Sequence, residues 1–222
     1  MATSDTTRML VLGVTQIFEP ANGYQLRREL LSWNVQDWAN VNPGSIYSML
    51  TTLTKLGLVD RTDIVSTNGA HPVAVYRTTP SGNAELVQLV RDGITEVHEF
   101  ERTEFYAAAS LMVTLLSRDE VIPLLETRIE NLRLANLELD GAVKQIKADA
   151  GAPPHVSRLI DYSAALNAAE AAWLGGFIED VRAGQLTFLG EPAMQDWKPG
   201  DNDPAWRMVD EREQYLKALS QD

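Results

Sequence analysis

From Asn42 to Lys55 the chain reads NPGSIYSMLTTLTK, and Asn42, Gly44, Ser45, Tyr47, Ser48, Thr51, Thr52 and Lys55 supply an amide, hydroxyls, a bare backbone position and one amine. These groups hold no nucleophile and base pair and no metal-ligand spacing. Their chemistry is hydrogen bonding at close range. Ile46, Leu50 and Leu53 recur at i, i+4 and i+7, the spacing of one buried helical stripe. The face opposite that stripe is polar and small. A helix presented to a DNA major groove needs such a face, because bulk would hold its backbone away from base edges and phosphates. An ordinary amphipathic helix with short surface side chains fits the same pattern.

Other chemistries find little support. The histidines, His71, His98 and His155, are scattered without metal spacing. His98 lies among Glu96, Glu99 and Glu101, where a solvated, highly charged helix face explains the cluster better than a metal site. No Gly-rich phosphate loop follows a strand and no GxSxG elbow appears. An enzyme is not expected, nor a metal or cofactor. With no cysteine, the chain has no disulfides, thiolate ligands or cysteine nucleophiles, which fits a cytoplasmic protein.

The elements around the polar face have readable punctuation. Asn42 is a plausible N-cap and Pro43 stands at the first helical position, where its missing N–H costs nothing. Gly57 suits the helix end, and Leu58-Val59 opens a strand. Asn68-Gly69 supplies the positive dihedrals of a hairpin tip, and Val73, Val75 and Arg77 alternate with Ala74 and Tyr76 on the return strand. Thr79-Pro80 starts another helix. Upstream, Gly23-Tyr24 begins a helix carrying Leu26, Leu30 and Trp33, and Met9 to Phe18 is apolar nearly all round. The order is helix, helix, helix, wing.

Leu10-Val11-Leu12-Gly13, Gly23-Tyr24-x-Leu26, Pro43-Gly44-Ser45-Ile46-Tyr47 with Leu50, Leu53 and Gly57-Leu58-Val59, and Tyr76-Arg77-x-Thr79-x-x-Gly82 resemble the PadR family of transcriptional regulators. The resemblance covers roughly residues 9–82, and a looser one extends over Glu104 to Asn136, similar to family members with a longer helical second half. It implies a homodimeric, ligand-responsive repressor in which the helix from Pro43 enters the major groove of double-stranded operator DNA and the wing reaches flanking DNA. The DNA contacts so expected are Arg8, Tyr24, Gln25, Asn42, Gly44, Ser45, Tyr47, Ser48, Thr51, Lys55, Asn68, Gly69, His71 and Arg77. The wing departs from the family pattern. Where relatives commonly place Arg or Lys, this chain reads Ala70-His71-Pro72-Val73-Ala74-Val75.

The net charge of -12 is unevenly placed. Residues 1–95 hold seven basic and eight acidic side chains, leaving 12 basic and 23 acidic for the remainder. An acidic second half is repelled from a duplex and orients the protein on it. A near-neutral reading head is weak by the usual standard of nucleic-acid binders. A winged-helix protein-interaction or ligand-sensing module with little DNA binding is therefore the competing expectation. No apolar run approaches the roughly 18 residues of a membrane span, and the first ten residues lack the pattern of a secretory signal.

The fold class expected is mainly α with a small β wing: a winged helix-turn-helix over 1–95, a helical dimerisation region over 96–183, and an irregular acidic tail over 184–222 with a terminal helix from Ala205 to Leu219. Beyond Pro80 no proline occurs through Leu116, with a break expected near Gly93. Leu125, Ile129, Leu132, Asn136, Leu139, Val143 and Ile146 alternate spacings of four and three, placing Asn136 at an a position where a buried amide fixes register and partner number. Coiled coil between subunits and helix packing within one chain both satisfy that stripe, and subunit contact is the favoured reading. Gly151-Ala152-Pro153-Pro154 then breaks the helix before an alanine-rich stretch, His155 to Ala183, whose Trp173 and Phe177 join the expected dimer contacts. Trp33, Trp38 and Trp173 are the candidate contacts for a small aromatic or amphipathic effector, against the simpler role of core and interface filling that aromatic rings usually play.

Overall fold

The computed structural model describes residues 4–64, 72–99, 101–148, 153–195 and 206–220, with the backbone alone at 4, 195 and 206–210. In order these form α1 (Ser4–Phe18), β1 (Ala21–Asn22), α2 (Gly23–Ser32), α3 (Val35–Trp38), α4 (Pro43–Lys55), β2 (Val59–Ile64), β3 (Val73–Thr78), α5 (Pro80–Thr95), α6 (Thr103–Leu115), α7 (Arg118–Ala148), α8 (Pro154–Arg182), α9 (Pro192–Gln195) and α10 (Trp206–Leu219). The fold is mainly helical with one small antiparallel sheet. Contacts divide the chain into a unit of Met1–Val90 with Gln195–Asp222 and a unit of Arg91–Met194. The tail expected as one segment is thus shared: residues 184–194 go with the helical unit and α10 with the winged one.

In the winged unit, α1 buries Met9, Leu10, Val11, Leu12 and Val14. Five such positions within six residues leave little room for a solvent face, and Thr15 satisfies its buried hydroxyl by donating to the Val11 carbonyl at 2.7 Å. α2 begins with a reciprocal capping box, in which Asn22 accepts from the Gln25 N–H and the Gln25 side chain accepts from the Asn22 N–H. α4 starts with Pro43 behind Asn42, which takes the N-cap position without a side-chain capping bond. It ends in a Schellman arrangement: Gly57 adopts φ +70°, its N–H donates to the Thr54 carbonyl, and the Leu58 N–H donates to Leu53 at 2.9 Å. That reversal carries the chain directly into β2.

The sheet has the order β1-β3-β2. β2 and β3 form the expected ribbon, with Asp60 opposite Arg77 and Arg61 opposite Tyr76. β1 adds a two-residue edge, Ala21 opposite Tyr76 and Asn22 opposite Val75. Two residues have no periodicity, so nothing in the sequence marks them as a strand. The Thr79 and Gly82 of the family-like motif fasten the wing to what precedes it. Thr79 Oγ1 donates to the Gly57 carbonyl at 2.8 Å and accepts from the Gly82 N–H at 3.0 Å. A Cβ on Gly82 would fall 1.9 Å from the Leu58 carbonyl oxygen, so only glycine permits this approach.

In the helical unit, α5 runs past Gly93 and ends at Thr95, so the break comes later than expected. The carbonyls at and just beyond its end are held by α7: Arg128 Nη1 donates to Ile94 and Glu96, and Asn131 Nδ2 donates to Thr95. The charged stretch after Thr95 is a turn, with His98 bridged to Glu101, rather than the helix face expected from its composition. α7 and α8 pack antiparallel, as Glu126 with Arg182, Arg128 with Glu170, and Asn136 with Asn167 show. Val121, Leu125, Leu132 and Val143 are buried along this seam, while Ile129, Leu139 and Ile146 are partly covered. The heptad stripe therefore packs on α8 of its own chain, where a subunit contact was the favoured expectation. Pro153 and Pro154 start α8 as anticipated from the break.

The segment after α8 is ordered by one arginine. Arg118 forms a two-pronged pair with Glu191, donates to the Leu186 carbonyl, also bonds the Val181 carbonyl, and lies over the buried Phe188 ring at 5.1 Å. The Phe188 N–H bound to Glu191 is the main influence holding that carboxyl below the usual glutamate range, with Arg118 adding to it.

Candidate nucleic-acid interface

α4 presents its two faces as the spacing requires. Ile46, Leu50 and Leu53 are buried, whereas Gly44, Ser45, Tyr47, Ser48, Thr51, Thr52 and Lys55 are exposed. Thr51 and Thr52 donate their hydroxyl protons to the carbonyls of Tyr47 and Ser48 at 3.0 Å. With the proton engaged, each offers an incoming surface a methyl group and oxygen lone pairs. Such groups suit an amino group or a thymine methyl better than a phosphate. Ser45, Ser48 and the exposed Asn42 make no side-chain hydrogen bond with described residues, and they stand on the first turns of the helix. Donors for phosphate are thus concentrated at its N-terminal end, where the helix dipole favours an anion.

α2 meets this end of α4 at Gly23. A Cβ there would lie 3.0 Å from the Tyr47 ring and 3.6 Å from that of Tyr76. The glycine lets the start of α2, the exposed Tyr47 and the middle of β3 converge. Tyr24 is 59% exposed beside them, with the Arg27 guanidinium 5.3 Å from its ring centroid. Arg27 was not among the expected contacts, and its spacing of three from Tyr24 is the only sequence signal that pairs them.

Two expected contacts have partners within the chain. Arg8 lies within α1 and is paired with Glu85 at 2.7 Å, so its charge is already neutralised in place. Gln25 is buried, with Oε1 on the Asn22 N–H and Nε2 on Glu211 at 2.6 Å. Its amide is a cap, not an outward reader, and the pattern Asn-x-x-Gln is the signal that would have said so. The wing tip residues Asn68, Gly69 and His71 lie outside the described residues. Arg77 is exposed on β3.

The described wing strands carry Asp60 and Asp63 against Arg61 and Arg77. Arg61 bridges Asp63 at 3.0 Å, and Arg77 faces Asp60 across the ladder. The four charges sum to zero over the described ribbon. Lys55 is the exposed cation on the outer face of α4. What the surface offers is therefore mostly hydroxyl, amide and backbone groups.

Of the effector candidates, Trp33 and Trp38 belong to the winged unit, where the Trp38 indole donates to the Trp33 carbonyl at 2.9 Å and the Trp33 indole to Glu29 at 3.3 Å. Both are half-buried braces of the turn between α2 and α3. Trp173 belongs to the helical unit and is 54% exposed. It stacks on Phe177 with centroids 5.0 Å apart and meets Phe105 edge to face at 6.4 Å. Phe105 in turn lies under Arg128 at 4.0 Å. Arg128 is buried, and Glu170 accepts from it at 2.6 Å and from Arg102 at 2.8 Å. Burial lowers the Arg128 pKa and the Glu170 charge opposes that shift. His98 Nε2 stands 3.4 Å from Glu96 and 3.3 Å from Glu104, the spacing of an ion-pair cluster at the end of α5.

Residues 11–88 match the model of the "Transcriptional regulator PadR-like family". Solved structures similar to the chain include Bacillus subtilis PadR in complex with operator DNA, at 19% identity over 78% of this chain and 98% of that one, TM-score 0.34. A Streptococcus mutans UA159 protein gives 20% identity over 78% and 98%, TM-score 0.34. Bacillus subtilis PadR with p-coumaric acid gives 18% over 79% and 97%, TM-score 0.32. At such scores and identities these likenesses transfer no residue role. No curated protein matches the sequence. Among the described residues, no helix is long and apolar enough to cross a membrane.

Proposed function

We propose that this chain, whose residues 11–88 match the model of the PadR-like family of transcriptional regulators, is a cytoplasmic repressor that binds operator DNA as a homodimer and responds to a small aromatic or amphipathic effector. The observation that carries this proposal is the outer face of α4. Its Asn42, Ser45 and Ser48 are exposed and unengaged among the described residues, and Gly44 leaves the backbone bare. Two copies of such a helix reading one duplex face call for an inverted repeat, with the helices about 34–36 Å apart. No catalysis and no cofactor are proposed.

The second copy needs a surface other than the α7 seam, which α8 already covers. Leu159, Tyr162, Leu166 and Trp173 fall at spacings of three, four and seven on α8 and are 64%, 63%, 37% and 54% exposed. A row of this kind marks an association site, and we assign the dimer contact to it. Trp173, with Phe105 and Phe177, is the aromatic cluster to which we assign the effector.

The test is a mobility shift on duplex DNA from upstream of the chain's own coding sequence. Ser48→Ala and Tyr47→Ala are expected to weaken binding while leaving the melting temperature in place, since both side chains are exposed. Unchanged binding by both variants would remove α4 from the interface. A second reading, a winged-helix interaction module without DNA binding, is favoured by one observation, the charge-balanced wing. Failure of the wild-type protein to bind any such duplex at low salt would support it.

A further inference from the structure

The family match ends at residue 88, yet the last helix of the chain packs on the beginning of the matched region. α10 lays Glu211 and Tyr215, one turn apart, against the first turn of α2. Gln25 Nε2 donates to Glu211 Oε2 at 2.6 Å, Asn22 Nδ2 donates to the Tyr215 hydroxyl at 3.0 Å, and Arg212 Nε donates to the Glu19 carbonyl at 2.7 Å. These three bonds fall on the residues that lead into α2 and cap it. Gln25 is only 4% exposed, so the bond to Glu211 is a built contact rather than a meeting of surface chains.

The place matters for the proposed DNA binding. In a helix-turn-helix, the helix preceding the reading helix crosses the DNA backbone. Its N-terminus is the end that attracts a phosphate, through unpaired N–H groups and the positive end of the dipole. Here that helix is α2, and Gly23, between the two residues held by α10, is also where Tyr47 of α4 makes its close approach. A carboxylate at this end of α2 occupies the electrostatic position of a backbone phosphate and repels one that comes near.

We propose that α10 is an autoinhibitory strap: it covers the start of α2, and operator DNA must displace Glu211 and its helix to bind. The inference rests on the DNA-binding reading. As part of the same chain, α10 competes at a high effective concentration, so a few hydrogen bonds suffice to hold it. The basic and acidic side chains of α10 balance, Arg207, Arg212 and Lys217 against Asp210, Glu211 and Glu213, so bulk charge does not hold it to the winged unit. The specific bonds do, and they are of a strength that a row of phosphate contacts exceeds.

The experiment compares the full-length protein with full-length Glu211→Gln and Glu211→Ala/Tyr215→Ala variants, using the upstream duplex as probe. Fluorescence anisotropy over a salt series gives affinity, and amide hydrogen exchange of residues 211–219 with and without DNA reports whether α10 leaves. Relief of the strap is expected to tighten binding about threefold in Glu211→Gln and about tenfold in the double variant, about 1.4 kcal/mol. DNA should raise exchange in α10 of the wild type. Equal or weaker binding by both variants, or an α10 that stays protected on DNA, would overturn the strap and leave DNA binding standing. If neither wild type nor variants bind, the DNA-binding reading itself fails, and the strap with it.

Discussion

Asn167 of α8 donates its amide to Asn136 of α7 at 2.9 Å, and Asn136 donates in turn to the Ala164 carbonyl at 3.2 Å. Asn167 also accepts from Arg102 at 2.7 Å, so its side chain is satisfied on both sides while almost fully buried. The amide that an a position uses to fix register here sets the offset of two helices of one chain. Replacing Asn136 by Leu strands the buried Asn167 amide. The loss expected is about 1–3 kcal/mol of stability in chemical denaturation, with the sedimentation behaviour unchanged. A variant that altered oligomeric state at unchanged stability would return this pair to a subunit contact.

Gly82 holds α5 against the Leu58 carbonyl, and no rotamer change accommodates a methyl group 1.9 Å from a backbone oxygen. Gly82→Ala should cost about 3 kcal/mol through forced backbone shifts. Gly44→Ala, with nothing within 4 Å of the added carbon, should leave stability intact or improve it while weakening DNA binding. Thermal melts of the two proteins separate the structural glycine from the one proposed to face DNA.

The salt dependence of DNA binding should be shallow. Each phosphate neutralised by Lys or Arg contributes about −0.9 to the log–log slope, and Arg61 is bridged to Asp63 while Arg8 is paired with Glu85. Lys55 and Arg77 are the exposed candidates on each subunit, so a dimer should give a slope of about −4 or shallower. Specificity then rests on hydroxyl, amide and shape readout. A slope near −8 in anisotropy titrations would reveal a basic surface beyond Lys55 and Arg77.

Dimerisation should fail when the exposed row on α8 is charged. Leu159→Glu with Leu166→Glu is expected to give a monomer by sedimentation with its helical content preserved, because neither side chain enters the α7 seam. Ile129→Glu, on the seam, should instead lower the melting temperature. A stable dimer in the α8 double variant would move the interface elsewhere.

Acid should loosen the helical unit. Glu120 accepts from the Ser117 N–H and hydroxyl, and Glu191 from the Phe188 N–H, and these bonds hold both carboxyls below the ordinary glutamate value of 4.5. A depressed carboxyl means that the folded chain binds fewer protons than the unfolded one. Its stabilising contribution is whole above the unfolded value and disappears as pH falls through the lower folded value. Melting temperature should therefore fall as pH drops from about 5 towards 3, and Glu120→Gln with Glu191→Gln should flatten that decline. A double variant with the wild-type pH profile would show that other groups govern it.

What the sequence determined by itself is local. Pro43 at the first turn, the Ile46, Leu50 and Leu53 stripe, Gly57 at positive φ and Thr79 capping α5 act over seven residues or fewer, so their spacing along the chain already sets the local structure. The polar face of α4 follows from the same periodicity. The tertiary structure decided the pairings that run between distant elements. An apolar stripe from Leu125 to Ile146 is equally satisfied by a second chain or by α8, and only packing selects α8. Arg8 and Gln25 read as surface groups until Glu85 and Glu211 arrive from 77 and 186 residues away. α10 is a short amphipathic helix in any context, and its Leu216 stays exposed. Where it docks depends on which polar groups elsewhere lack partners, and no periodicity records that.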